Sequence, residues 1–251
     1  MITTVLTVMD RLDYLPSQLK AIRNQSIESK ILIHWNREDE YMLDYPAIIY
    51  RNQHKSAPLY NRFISSLNID TPYVFICDDD ILPGKKYLER CIDFLQKKDA
   101  CIVNYGMIFE EGSTSYNVKE RIDHQTYLKK PRQVDMGGQG YLFKTELLRK
   151  YCSYEIHNDK WGEDIHLGFV CFKEKIPTYV LNSDKNNIDT WQDMTVGQRG
   201  VDEVDTAEPE AVSTLSEVVE RRVGLAGLPI ENQIDSGADA RVQIDGKDAR
   251  G

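Results

Sequence analysis

Three consecutive carboxylates, Asp78, Asp79 and Asp80, close an apolar run in FICDDDILPG, and a second acidic pair, Glu163 and Asp164, sits in WGEDIHLGF. Adjacent carboxylates repel one another, so the triplet calls for a positive partner. Hard oxygen donors suit Mg2+ or Mn2+, and Mg2+ usually takes one or two protein carboxylates and fills its shell with water and phosphate oxygens. Asp80, with Asp78 as helper, is therefore the expected anchor for a divalent ion that bridges protein and diphosphate. A solvated acidic turn before Pro-Gly is the plain alternative. Glu163 and Asp164 supply a second acidic site suited to accept a proton; acids in a first helical turn also simply complement the helix dipole.

These residues need a frame. Thr3–Met9, Ile31–Trp35, Ala47–Tyr50, Tyr73–Cys77 and Ala100–Tyr105 read as strands. Helices are expected after Pro16, from Pro58 to Leu67 with Leu59, Phe63 and Ile64 on one face, at about Lys86–Lys97, and along WGEDIHLGFVCF. Strands alternating with helices predict an α/β fold, a mostly parallel twisted sheet covered by helices on both faces. Ligands of such sheets bind beyond the carboxyl ends of the strands, where the triplet falls.

The first glycine of the chain is Gly84. A dinucleotide fold or a P-loop needs glycines in its first strand-to-helix turn, which here reads VMDRLDY. Both are excluded, and a nucleotidylyltransferase with its Gly-rich opening loses ground. Any bound nucleotide must have its phosphate charge managed by other means.

Composition bounds the rest. The net charge of −9 over 251 residues, with no basic block, argues against nucleic-acid binding. No apolar run approaches the roughly 20 residues that span a bilayer, and MITTVLTVMDRLDYL shows no signal peptide. Five widely spaced cysteines without CxxC fit reduced thiols in a cytoplasmic setting. Residues 201–251 lack Phe, Tyr, Trp, Cys, Met and His and hold 12 acidic against 5 basic residues. They read as an acidic linker, a docking tail or the start of a further domain, following a domain over residues 1–200.

In their order these segments resemble the GT-A glycosyltransferases, particularly the family-2-like members. TVLTVMDRLDYLPSQLKAIRNQS looks like their first strand and helix, ILIHWN like the second strand, and DDD with ILPG like their DXD motif and its turn. DMGGQGYLFKTELL resembles their glycine-containing acceptor-side loop, and WGED their ED motif; the likeness covers about residues 1–185. Within the family, the first 200 residues look very like the N-terminal domains of multidomain enzymes that build the capsid glycans of chlorella viruses. The resemblance implies a UDP-sugar donor, a rhamnosyl or glucosyl unit, a glycan acceptor, and the host cytoplasm as location if the protein is viral.

By the same resemblance, Asp164 is the base with Glu163 as fallback. Thr7, Arg11, Trp35, Asn36, Lys55, Asp78 and Asp79 hold the donor nucleotide, and Asp80 and Asp78 hold Mn2+ or Mg2+. Family members often have Asp where Asn36 stands. Gly137, Gly138 and Gly140 around Gln139 would let backbone approach a sugar or make a tight strand connection. Trp161 would stack on a sugar or fill the core, and His166 would add a third metal ligand or pack as an ordinary helix histidine. Glu110–Arg132 is expected to form an acceptor loop. A nucleotidylyltransferase and a non-catalytic module that binds Ca2+ or a basic partner stay open as alternatives.

Overall fold

A computed structural model of the chain describes residues 1–9, 11–37, 47–51, 58–112, 117–122, 126–156, 162–182 and 192–194. Lys55, Trp161 and the whole of residues 195–251, including the expected boundary near Gly200, lie outside them.

The first half follows the expected alternation. Strand β1 (Ile2–Val8) leads through a 3-10 turn (Leu12–Tyr14) into helix α1 (Leu15–Arg23), with Pro16 in its first turn. Strands β2 (Ser29–Trp35) and β3 (Ile48–Arg51) precede helix α2 (Pro58–Ser65), and β4 (Tyr73–Cys77) ends at the triplet. The ILPG stretch, expected as a turn, forms short strand β5 (Ile81–Pro83), followed by helix α3 (Tyr87–Lys97) and β6 (Cys101–Phe109). Then come β7 (Val118–Ile122), β8 (Arg132–Val134), β9 (Met136–Lys144), helix α4 (Glu146–Ser153), helix α5 (Glu163–Lys173), β10 (Thr178–Val180) and β11 (Gln192–Met194).

Nine strands form the main sheet in the order β3-β2-β1-β4-β9-β6-β10-β8, with β7 on β6; β11 pairs β5 apart from it. β1 lies parallel between β2 and β4. β9 runs antiparallel between β4 and β6, so those two point the same way. Six of the nine strands thus share one direction, the mostly parallel sheet expected from sequence. The reversed strand β9 carries the glycine-containing motif, so Gly137, Gly138 and Gly140 sit inside a strand rather than a loop. Part of the expected acceptor loop is likewise strand, as β7 on β6.

Each face of the sheet has its own core. Leu15, Leu19 and Ile22 of α1 and Leu88, Cys91 and Leu95 of α3 pack on one side with Ile2, Leu6 and Phe75. Tyr60 and Phe63 of α2, Leu147, Leu148 and Tyr151 of α4 and Leu167 and Val170 of α5 pack on the other with Val5, Val74 and Ile76. Helices on both faces leave β1 buried throughout, its threonines included, and β4 buried beyond Tyr73. Helix α2 departs from its expected face: Ile64 is 40% exposed while Arg62 is 2% exposed.

Candidate active site

Strand β4 delivers the triplet, and three devices hold it. Gln18, buried on α1, donates from Nε2 to the Asp78 and Ile81 carbonyls at 2.6 and 3.1 Å. Just past the end of α1, Gln25 donates to the Gly84 carbonyl at 2.9 Å and accepts from the Leu88 N–H at 3.1 Å. From the opposite side, the Asp78 N–H donates to the Gln139 carbonyl at 2.9 Å. Gln139 adopts φ 69°, a left-handed conformation uncommon outside glycine, beside an irregularity in the β6–β9 ladder. The GGQG motif thus turns one carbonyl toward the acidic triplet.

Two guanidinium groups supply the positive partner that the triplet demands. Arg11, in the β1–α1 connection, lies with Nη1 2.6 Å from Asp79 Oδ1 and 3.1 Å from Asp80 Oδ2. Arg62 bonds Asp78 through Nη1 and reaches Glu163 Oε1 with Nη2 at 2.8 Å. Its guanidinium carbon lies 5.6 Å from the Phe63 ring centre and 5.4 Å from that of Tyr141. One buried cation therefore joins the triplet to the second acidic pair. Sequence reading missed Arg62; the available signal was a charge beside Phe63 on a face otherwise read as apolar.

Helix α5 positions the second pair. Gly162 precedes it at φ 92°, a conformation that side chains with a Cβ rarely adopt. Glu163 is buried; Asp164 is half-buried, and its Oδ1 accepts from the Ile165 N–H at 2.8 Å. Burial pushes the Glu163 carboxyl up to about 7, against the pull of Arg62 and with the added push of Asp164. Burial raises Asp164 as well. In the triplet, burial and then the charge of Asp78 raise Asp80 to about 6, Arg11 opposing, while burial raises Asp78 against Arg62.

The remaining expected residues are spread around this end of the sheet. Thr7 is buried near the end of β1, and Asn36, just beyond β2, donates its N–H to the Val8 carbonyl at 2.9 Å. Trp35 is 1% exposed and belongs to the core on the α1 face. His166 packs edge-on against Tyr151 and places Nε2 2.9 Å from the Tyr151 carbonyl, the position of an ordinary helix histidine.

The triplet fits a divalent ion by donor chemistry, since Asp78 and Asp80 offer only carboxylate oxygens at a strand end. Among the described residues no three His, Cys, Asp or Glu side chains form a cage. Protein donors would therefore be few, as Mg2+ sites on phosphate ligands generally have it.

Residues 2–110 match the glycosyl transferase family 64 domain. That span includes Arg11, Arg62 and the triplet and stops before Glu163. Among solved structures, the chain is similar to crystal structures of S. aureus TarS. One has a TM-score of 0.54 at 13% identity, covering 78% of this chain and 36% of that one. The other, TarS 1-349, has a TM-score of 0.53 at 12% identity, covering 76% and 59%. The chain thus spans about a third to three-fifths of the length of these proteins. No curated protein sequence matches it. The fold is that of GT-A type glycosyltransferases, and residues 2–110 carry the match to a glycosyl transferase domain. The matching domain is that of family 64, whereas the motifs resemble family-2-like members; the two agree on glycosyl transfer.

Proposed function

We propose that this protein is a metal-dependent, inverting glycosyltransferase that moves a sugar, rhamnose or glucose, from a UDP-sugar to a glycan hydroxyl. The observation that carries the reading is the placement of two acidic sites, Asp78–Asp80 and Glu163–Asp164, on one buried guanidinium at the carboxyl end of β4. Inverting transfer requires both: one site for the departing diphosphate and one for the incoming hydroxyl.

Mn2+ or Mg2+, held by Asp80 with Asp78 beside it, would neutralise the negative charge that grows on the leaving diphosphate. Asp78 is held by the buried Arg62, whereas Asp80 pairs with the more exposed Arg11 at 3.1 Å, which makes Asp80 the chief ligand. The acceptor oxygen attacks the anomeric carbon as the bond from that carbon to the diphosphate oxygen breaks, its electron pair departing with UDP. The acceptor proton passes to Asp164. Glu163 is held by Arg62 and buried, so it orients the helix start rather than receiving the proton. Thr7, Arg11, Asn36 and Asp79 would hold the donor nucleotide, with Trp35 backing them from the core; Lys55, expected beside them, lies outside the described residues.

The choice of rhamnose or glucose rests on the resemblance of the first 200 residues to chlorella-virus capsid-glycan enzymes. No described helix is long and apolar enough to cross a membrane. All five cysteines are free, which supports a reducing, cytoplasmic setting.

The test is a panel of nucleotide sugars screened for Mn2+-dependent hydrolysis and transfer, with Asp80→Ala alongside. A UDP-sugar is expected to turn over in the wild type, and the folded variant is expected to lose that activity. Near wild-type turnover by Asp80→Ala would remove the metal assignment. Release of pyrophosphate from UTP and a sugar phosphate would replace transfer with nucleotidyl chemistry.

A further inference from the structure

Arg11 occupies the turn in which other nucleotide folds place their glycines, and the chain has no glycine before Gly84. Its side chain is 24% exposed, against 3% for Arg62. The two arginines also differ in how they are held. Arg62 is fixed between carboxylates of two distant segments and two aromatic rings. Arg11 is held at the triplet through one nitrogen, Nη1, of a group that carries five N–H donors.

We propose that Arg11 is an exchangeable counter-ion: it neutralises Asp79 and Asp80 in the free protein and transfers to the donor diphosphate when a divalent cation and nucleotide bind. This rests on reading the site as one for a nucleoside diphosphate. Three adjacent carboxylates need a cation at all times, and Arg11 provides it before any ion arrives. A dication on Asp80 repels a guanidinium 3.1 Å from the same carboxylate. Diphosphate oxygens then offer Arg11 the paired acceptors that its planar fork matches best. The glycine-free turn thus manages phosphate charge with a side chain in place of backbone N–H groups.

A consequence is coupling between cation and nucleotide. The cation alone must displace Arg11 without offering it a new partner, and UDP removes that cost. By linkage the two ligands favour each other to the same degree, and such couplings typically amount to about 5- to 150-fold.

Isothermal titration of the folded full chain with Mn2+ alone, and with UDP at saturating Mn2+, tests this on wild type, Arg11→Gln and Arg11→Lys. In Arg11→Gln the affinity for Mn2+ alone is expected to rise about tenfold while that for UDP falls about tenfold, within the ordinary range of such couplings. Arg11→Lys keeps the charge and is expected to stay near wild type for Mn2+ alone. Opposite movement of the two affinities supports the exchange. If both fall, Arg11 is a fixed brace for the triplet; if neither moves, it has no part; if Mn2+ fails to bind any of the three proteins, there is nothing to exchange. Each of these overturns the proposal. Sugar transfer is not read in this experiment, so a chain that shows the sign split yet transfers no sugar would sink only the glycosyl-transfer reading.

Discussion

Arg62 Nη2 and Glu163 Oε1 meet at 2.8 Å across 101 residues of sequence, and the other terminal nitrogen of the same guanidinium bonds Asp78. This pairing joins the half of the chain that carries the triplet to the half that carries the proposed base.

Buried ion pairs are costly to break from one side, because the partner is left as an uncompensated charge; such losses run about 3–5 kcal/mol. Arg62→Met is therefore expected to lose stability of that order in urea denaturation. Adding Glu163→Gln to Arg62→Met removes one of the stranded charges and should recover part of the loss. If the single variant unfolds at the wild-type midpoint, the bridge does not hold these segments together.

The two acids of α5 differ in a way that activity can read. Asp164 is half-buried and accepts only the adjacent N–H among the hydrogen bonds described, whereas Glu163 is committed to Arg62. A positioned base contributes about 100- to 10,000-fold. Asp164→Asn is expected to cut transfer by that order at unchanged circular dichroism, and more deeply than Glu163→Gln. The base must be ionised to accept a proton and burial raises Asp164, so the wild-type rate should fall with acid at a pH above the ordinary aspartate range. A larger loss from Glu163→Gln would reverse the two roles.

The legible part of this protein is its local pattern. α1 was readable because Leu15, Leu19 and Ile22 fall at helical spacing, β4 and α5 because each is rich in apolar residues, and the triplet stood out because three acids beside a buried strand are expensive. Arg62 left only a faint mark in the sequence, a charge beside Phe63, because the partners that bury it, Asp78 and Glu163, are brought to α2 only by the fold. The GGQG segment failed for another reason. Its glycines suggest a loop, but β9 needs Gly137 because Tyr105 and Val103 crowd it, a pressure that exists only once β6 lies alongside. Gln18 on α1 and Gln25 just beyond it fall in the same class, as polar residues that become buried braces through tertiary contact.

His34 gives a stability prediction with a definite sign. It is fully buried in β2, its Nδ1 3.3 Å from Ser65 Oγ. Burial, and then the charge of Arg62, lower its pKa from 6.5 to about 4. Below pH 6.5 the unfolded chain takes up a proton that the folded chain refuses until about pH 4. Acid therefore favours unfolding across that window, by up to about 3 kcal/mol once it is crossed. Glu163 and Asp80, raised to about 7 and about 6, act in the opposite sense in both proteins, so the difference between the two is what reads His34. From pH 7 to pH 4 the wild-type urea midpoint should drop relative to that of His34→Gln, which has no imidazole to protonate. Parallel curves would show that His34 titrates alike in both states.

Adjacent glycines of β9 should respond oppositely to the same substitution. A Cβ on Gly137 would stand 2.0 Å from the Tyr105 carbonyl oxygen and 2.5 Å from Val103 Cγ2, and the backbone of β6 cannot withdraw without breaking its ladder with β9. A Cβ on Gly138 would meet only Tyr141 Oη, at an ordinary 3.6 Å. Overpacking in a well-filled region costs about 1–3 kcal/mol and more where backbone must move. Gly137→Ala is accordingly expected to lose at least that in thermal and urea unfolding, and Gly138→Ala to stay near wild type. This also separates two readings of the motif. If Gly137 is there for strand packing, the loss appears in stability with no sugar present; were it there to admit a sugar, Gly137→Ala would fold as well as Gly138→Ala and fail only in acceptor affinity.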